Sequence, residues 1–275
     1  YVREIEQPAG FVLDDTIYPV TIGADGQVVE IKIVNKYVRG NIHLTKVDSE
    51  YPDNKLTGAT FEVYKDSNAN GKLDDGDELL GTLTEKEIGE YGMNDLFYGR
   101  YFVKETKAPE GFVLDTGVYE VMIDTNGKTY EVENKAGVGF INEAMRGNLK
   151  IVKTSSDGKV KGFAFRITGA NGYDIILETN DKGEIFIDGL RIGDYTISEV
   201  SNSASSMYVL PADKKATVKL GSTTIVEMHN VLRDTPKTGD TTNLPLLYAL
   251  AGLSAVGIAV CGVIGFKKKK KEDRN

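Results

Sequence analysis

The pentapeptide Gly-Phe-Val-Leu-Asp occurs twice, at residues 10–14 and 111–115, each time just after a proline, and Glu4 then aligns with Glu105. A second echo sets Arg39-Gly40-Asn41-Ile42-His43-Leu44-Thr45-Lys46 against Arg146-Gly147-Asn148-Leu149-Lys150-Ile151-Val152-Lys153, so that Lys46 matches Lys153. A third matches Gly89, Leu96, Gly99, Tyr101 and Glu105 with Gly183, Leu190, Gly193, Tyr195 and Glu199 at constant spacing. Such repetition restricts the fold more than any single motif, because each copy must build the same supersecondary unit. The chain reads as the tail of one unit (1–39), a long unit with an insert (41–146) and a shorter unit (147–233).

Within the units the apolar signal has period two, in short runs such as Gly99-Arg100-Tyr101-Phe102-Val103-Lys104-Glu105 and Thr217-Val218-Lys219-Leu220. The turn pairs Asp25-Gly26, Asn126-Gly127, Asn171-Gly172 and Lys182-Gly183 interrupt them. No amphipathic helix of normal length precedes residue 243. The prediction is an all-β chain of tandem antiparallel β-sandwiches. The one cysteine, Cys261, rules out a disulfide framework and a cysteine zinc site.

Strand phase exposes an oddity in what the sandwiches bury. Ile42, Leu44 and Lys46 share a face, as do Leu149, Ile151 and Lys153. Tyr101, Val103 and Glu105 share another, as do Tyr195, Ile197 and Glu199, and Val2 with Glu4. Near the end of each unit the in-phase sets are Ile31, Ile33, Asn35, then Val138, Phe140, Asn142, then Val226, Met228, Asn230. A lysine, a glutamate and an asparagine in one core cost several kcal/mol each unless they are partnered. Asn134 is also in phase, with Tyr130 and Val132; Asn142 is preferred because it lies five residues before Gly147, as Asn35 lies five before Gly40.

These units resemble the collagen-adhesin B-type repeats, also called the SpaA-like prealbumin fold, of Gram-positive stalks and pilins. The Glu-Thr-Lys-Ala-Pro-Glu-Gly-Phe run at 105–112 and the Leu-Thr-Lys-Val-Asp run at 44–48 carry the likeness. The resemblance implies that the lysine amine condenses with the asparagine side chain, releasing ammonia, while the glutamate shuttles protons. The implied triads are Lys46, Glu105, Asn142 and Lys153, Glu199, Asn230; the first unit keeps Glu4 and Asn35, and its lysine is expected upstream of Tyr1. The alternative is a lysine–glutamate ion pair beside an asparagine, with no covalent bond.

Beyond the units stands Asp234-Thr235-Pro236-Lys237-Thr238-Gly239-Asp240, then a linker to residue 243, an uncharged apolar stretch at 244–266 and a run of lysines at 267–271. As a helix the apolar stretch would span about 34 Å, enough for a bilayer core. Lysines on its far side place residues 267–275 in the cytoplasm and the β-units outside. In this order the three elements resemble the LPxTG-like cell-wall sorting signal of Gram-positive surface proteins, with Thr235 where leucine is usual. The resemblance implies that a sortase, reading Thr235, Pro236, Thr238 and Gly239, cuts after Thr238. It would then pass Thr238 to an amine of peptidoglycan or of a pilin, leaving the protein covalently attached to the cell wall.

In the long unit, Asp66-Ser67-Asn68-Ala69-Asn70-Gly71-Lys72-Leu73-Asp74-Asp75-Gly76-Asp77 fits the spacing of a calcium loop, with Asp66, Asn68, Asn70, Lys72, Asp74 and Asp77 as ligand positions. The competing reading is an acidic hairpin that binds nothing, and no cofactor is required elsewhere. Residues 1–266 hold 27 basic and 39 acidic residues, a net charge of −12, which argues against nucleic acid as a partner. No Ser, His and Asp set suggests hydrolysis, and His43 and His229 fall out of phase with the core and are expected at the surface. Tyr18-Pro19-Val20 lacks the lysine of a pilin polymerisation motif, so polymerisation has no support. The expectation is a non-enzymatic, self-crosslinked stalk that displays an upstream head, which could bind a host extracellular matrix protein. Two alternatives remain open: the anchor of a surface enzyme whose catalytic domain lies upstream, or repeats that bind host matrix proteins themselves.

Overall fold

The period-two pattern becomes nineteen short strands among the residues that the computed structural model describes, 1–233. In order they are β1 (Phe11–Val12), β2 (Lys36–Tyr37), β3 (Arg39–Asp48), β4 (Thr60–Lys65), β5 (Glu78–Thr82), β6 (Thr84–Glu87), β7 (Glu90–Phe97), β8 (Gly99–Lys107), β9 (Val118–Ile123), β10 (Thr129–Glu131) and β11 (Phe140–Asn142). There follow β12 (Arg146–Ser155), β13 (Ala164–Thr168), β14 (Asp174–Glu178), β15 (Glu184–Arg191), β16 (Gly193–Val200), β17 (Tyr208–Val209), β18 (Lys214–Val218) and β19 (Thr223–Leu232). A single 3-10 turn, Ala170–Gly172, is the one helical segment among the described residues. None of their helices is long and apolar enough to cross a membrane. The sorting motif, the apolar stretch and the basic tail predicted from the sequence lie outside the described residues.

The chain divides into two compact units between Arg146 and Gly147. In the second, a sheet ordered β15-β12-β19-β17 faces one ordered β14-β13-β16-β18. Their inward residues, Leu149, Ile151, Phe165, Ile167, Ile197, Val226 and Met228 among them, form one core. In the first unit the sheets run β10-β3-β7-β6, with β11 also on β3, and β5-β4-β8-β9. Ile42, Leu44, Phe61, Val63, Tyr91, Tyr101, Val103 and Phe140 pack between them. Residues 1–38 belong to the first compact unit but contribute only the two-stranded β1-β2 ribbon and a Val2–Tyr18 bridge as strand pairing. Their apolar residues Ile5, Ile17, Ile22, Val28 and Val34 are exposed.

The expectation of purely antiparallel sheets fails in one respect. In each complete unit the first strand pairs with the last in parallel: β12 with β19, and β3 with both β10 and β11. Parallel neighbours need a crossover between them, and here the intervening strands cross to the facing sheet and return, which brings the last strand in from the same end as the first.

Two repeated glycines explain themselves sterically. A Cβ on Gly40 would lie 2.9 Å from the Lys128 carbonyl oxygen, and one on Gly147 would lie 2.1 Å from that of Lys219. The Arg-Gly-Asn that opens each unit is thus the point where the first strand presses against the loop leading into the last.

Candidate functional site

Each unit buries its lysine on the first strand, its glutamate on the strand that edges the facing sheet's centre, and its asparagine on the last. Relative exposures are 0, 0 and 3% for Lys46, Glu105 and Asn142, and 1, 8 and 0% for Lys153, Glu199 and Asn230. Strand register fixes the spacing between lysine and asparagine. Phe140 pairs with Lys46 and Asn142 with Asp48; Met228 pairs with Lys153 and Asn230 with Ser155. In both units, therefore, the asparagine sits two residues further along than the lysine, on the same face of a parallel pair, a diagonal neighbour within reach of a lysine side chain.

The glutamate meets the asparagine directly. Asn142 Nδ2 donates to Glu105 Oε2 at 2.7 Å, and Asn230 Nδ2 donates to Glu199 Oε1 at 2.6 Å. The incomplete first unit has the same contact, Asn35 Nδ2 to Glu4 Oε1 at 2.6 Å. Lys46 Nζ donates to the Phe140 carbonyl at 3.1 Å and lies 5.4 Å from the centre of the Phe140 ring, while Lys153 Nζ lies 4.2 Å from that of Phe163. A glycine loop braces each lysine from behind: the Lys46 N–H donates to the Gly89 carbonyl and the Lys153 N–H to that of Gly183, both at 2.7 Å.

Burial dominates the protonation of these groups. It pushes the Lys46 amine down to about 8, against the pull of Glu105, Asp115 and Asp48, and it lowers Lys153 despite Glu199 and Asp157. It pushes Glu105 and Glu199 up, only partly offset by the hydrogen bonds from Asn142 and Asn230. Desolvation thus moves both partners toward their neutral forms, a nucleophilic amine and a proton-donating acid. Glu105 Oε1, Asn142 Oδ1, Glu199 Oε2 and Asn230 Oδ1 are buried without a hydrogen-bond partner. Arg100 Nε is the one other such atom found among the described residues, and it faces Glu120 Oε1 at 3.0 Å in an ion pair. Unsatisfied polar atoms are costly, and here they gather at the same two spots.

Asn134 takes a different place from Asn142. The last strand of the long unit is broken into β10 and β11 by a turn around Gly137, which is why both asparagines read in phase. Asn134 sits in that break, donating to the Ile141 carbonyl at 2.8 Å and accepting from the Ile141 N–H at 2.6 Å. Its Nδ2 also donates to Asp115 Oδ2 at 2.6 Å. Sequence reasoning gave Asp115 no role, although its repeat with Asp14 in the Gly-Phe-Val-Leu-Asp echo was the available signal.

The acidic loop is drawn in on itself. Asp66 Oδ1 accepts from the Asn70 N–H at 3.1 Å and Oδ2 from the Gly71 N–H at 3.1 Å, and Asp77 Oδ1 and Oδ2 accept from the N–H groups of Ser67 and Asp74. Asn68 Nδ2 donates to Asp74 Oδ1 at 2.9 Å. Lys72 contributes only its main chain, its N–H donating to Asn70 Oδ1. No group of three His, Cys, Asp or Glu side chains among the described residues is arranged to hold a metal ion. His43, expected to be a surface bystander, is half-buried between Glu90 and Glu131, at 2.8 and 2.7 Å.

A family model and one solved structure agree with this architecture. Residues 40–136 and 147–231 match the SpaA family model, described as a prealbumin-like fold domain. The trypsin-resistant surface T6 protein of Streptococcus pyogenes is 30% identical over 196 residues, which cover 69% of this chain and 32% of that protein. The Bacillus anthracis TIE protein structure shares the fold at 24% identity with a TM-score of 0.62, covering 84% of this chain and 41% of that one. The minor pilin of Streptococcus agalactiae aligns over 73% of this chain and 99% of its own, at 19% identity and a TM-score of 0.33. The chain thus spans about a third of the T6 protein's length and two fifths of TIE's.

Proposed function

Since the chain belongs to the SpaA family of prealbumin-like fold domains, we propose that it is a stalk segment of a Gram-positive surface protein, pilin-like or adhesin-like, stapled by intramolecular Lys–Asn isopeptide bonds. The observation that carries this reading is the shared register, which sets lysine and asparagine on one diagonal in two units of different length, with the asparagine amide on a buried glutamate each time.

The chemistry follows from the burial. A proton passing from the lysine ammonium to the glutamate leaves both neutral. Lys46 Nζ then attacks Asn142 Cγ, and the glutamate acid, facing an amide turned to present Oδ1, donates to the developing oxyanion and takes its proton back as the carbonyl re-forms. The Cγ–Nδ2 bond breaks, and Nδ2 leaves as ammonia carrying the proton that the amine gives up. Lys153, Glu199 and Asn230 repeat the steps. Holding amine and amide side by side in a dry core supplies the proximity that makes an ordinarily inert amide reactive.

The sequence elements beyond residue 233 extend the reading. Thr235, Pro236, Thr238 and Gly239 form the site at which a sortase would exchange the Thr238–Gly239 bond for one to peptidoglycan or a pilin amine. The loop at 66–77 would bind calcium weakly, with its aspartates turning from main-chain N–H groups to the ion.

Intact mass of the full chain tests the central claim. Two ammonia losses, with fragment spectra joining Lys46 to Asn142 and Lys153 to Asn230, are expected. A mass equal to that of the plain sequence would sink it.

A further inference from the structure

The Gly-Phe-Val-Leu-Asp segment touches both catalytic partners of the long unit. The Asp115 N–H donates to Glu105 Oε2 at 2.8 Å, and the Val113 carbonyl accepts from Asn142 Nδ2 at 2.6 Å. Val113 is itself tied to the residue that follows β11 by its N–H, which donates to the Glu143 carbonyl at 2.8 Å. The Asp115 carboxylate then reaches back to the strand that carries Asn142: Oδ2 accepts from Asn134 Nδ2, and Asn134 grips Ile141 through both of its main-chain groups. Tyr119 donates its hydroxyl to the same oxygen at 2.8 Å, and the Gly117 N–H donates to Oδ1 at 2.6 Å.

Resting on the cross-linking reading above, we propose that Asp115 is a positioning residue for that reaction. Its main chain holds Glu105, and its carboxylate, through Asn134, holds the short β11 strand so that Asn142 stays against the glutamate. The break between β10 and β11 makes this necessary. A three-residue strand beside a turn has few ladder bonds of its own, and Asn134 supplies two in their place. The first unit retains the main-chain half of this device, with the Asp14 N–H donating to Glu4 Oε2 at 2.7 Å and the Tyr18 hydroxyl to Asp14 Oδ2 at 2.5 Å. The shorter unit has an unbroken β19 of ten residues and no aspartate at the corresponding place.

The carboxylate also contributes charge. Burial pushes the Asp115 carboxyl up, but hydrogen bonds from Asn134, Gly117 and Tyr119, with the Lys46 charge, outweigh this and hold it below the usual carboxylate range. It therefore stays ionised beside the reacting pair, where it raises both Lys46 and Glu105. The other titratable groups facing the pair are Asp48 on β3 and Tyr119 on β9, and Asp115→Asn leaves both in place.

The test compares the full chain with its Asp115→Asn and Asn134→Ala variants. Each is refolded by dilution from guanidine-solubilised inclusion bodies, and ammonia loss is followed by intact mass across pH. Asn134→Ala is expected to slow the loss from the long unit by about tenfold or more through misplacement of Asn142. Asp115→Asn keeps the main-chain donor and an acceptor oxygen but removes the charge, so the whole pH–rate profile should move to lower pH. A merely structural residue would lower the rate without moving the profile. The second ammonia loss, from Lys153 and Asn230, is the internal standard and should be unchanged in both variants. Resistance of the long unit to protease confirms that each variant has folded. Ammonia loss in the parent chain with an unchanged rate and profile in Asp115→Asn overturns the role of Asp115 alone. No loss in the parent chain removes the cross-linking reading itself.

Discussion

Replacing Asn142 by alanine removes the acyl carbon and leaves a buried amine where the intact chain is proposed to hold an amide. The two differ in how stability depends on pH. Lys46 is fully buried, and burial pushes its amine down to about 8 from an ordinary 10.5, against the pull of the nearby carboxylates. Between those two values the unfolded chain binds more protons than the folded one, so the stability of the variant must rise with pH across that window. At 1.36 kcal/mol per pKa unit the whole rise amounts to about 3 kcal/mol. An amide at Lys46 has nothing to titrate, and the intact chain should lack the rise. It should also carry a pH-independent advantage of about 4 to 5 kcal/mol, to which the titrating difference adds at lower pH, because its bond closes a loop of nearly a hundred residues in the unfolded state. Burial also pushes Tyr91 and Tyr119 up to about 12, so both proteins lose stability at high pH, but this cancels when one curve is subtracted from the other. Urea unfolding of the two full chains, followed by far-ultraviolet circular dichroism between about pH 7 and 10, gives that difference directly. The gap should narrow as pH rises. A gap that stays constant would mean that Lys46 is in the same chemical state in both proteins, and the reasoning would fail.

Three further outcomes are expected. Glu199→Ala should abolish one ammonia loss and leave the other, read by intact mass; loss of both, or of neither, would contradict two independent triads. Phe61→Ala removes a fully buried ring that meets Tyr91 and Phe140 edge-on, at 5.3 and 4.9 Å between centroids, and should cost about 3 to 5 kcal/mol in urea unfolding. Gly183→Ala forces a side chain onto a backbone at φ +76° and sets its Cβ 2.7 Å from the Lys153 carbonyl oxygen. It should destabilise the second unit by about 1 to 3 kcal/mol and slow ammonia loss from Lys153, and a variant that matches the parent in both measurements would show that the glycine loop does not brace the lysine.

Much of this arrangement could be read from the sequence because period two is a strong signal wherever one face is buried. Lys46, Glu105, Lys153, Glu199 and Asn230 stood out as the wrong residues for the faces they shared with leucine, isoleucine, valine, methionine and tyrosine, and each is buried. Phase failed where the strand itself is discontinuous. Tyr130, Val132 and Asn134 kept time with one another, as did Phe140 and Asn142, but a turn between β10 and β11 meant that only the second set could supply a side chain to Glu105. Alternation gives the face of each residue and says nothing of which strands are neighbours or in what direction they run. The parallel pairing of first and last strands was therefore invisible. Asp115 was missed for another reason: its contact with Glu105 is made by a main-chain N–H, which leaves no mark on residue type, so only its repeat with Asp14 could have drawn notice.

The parallel pairing changes the mechanical argument for a stalk. Had the first and last strands been antiparallel neighbours, tension would enter and leave the pair at the same end, and could unzip its hydrogen bonds one at a time. In parallel, tension enters β12 at its start and leaves β19 at its finish, which are opposite ends of the pair, so the ladder is loaded in shear and its bonds resist together. A covalent bond from Lys153 to Asn230 then needs only the residues before Lys153 and after Asn230 to carry the load, because 154–229 lie inside the closed loop. The same holds for the segments before Lys46 and after Asn142, and the latter runs within four residues into Arg146, the start of β12. With both bonds in place, tension would bypass almost all of the two sandwiches, and the chain could not lengthen by unfolding them. The parallel register, which the period-two signal cannot reveal, is what would let the two proposed cross-links and the strands around them carry load along one continuous path.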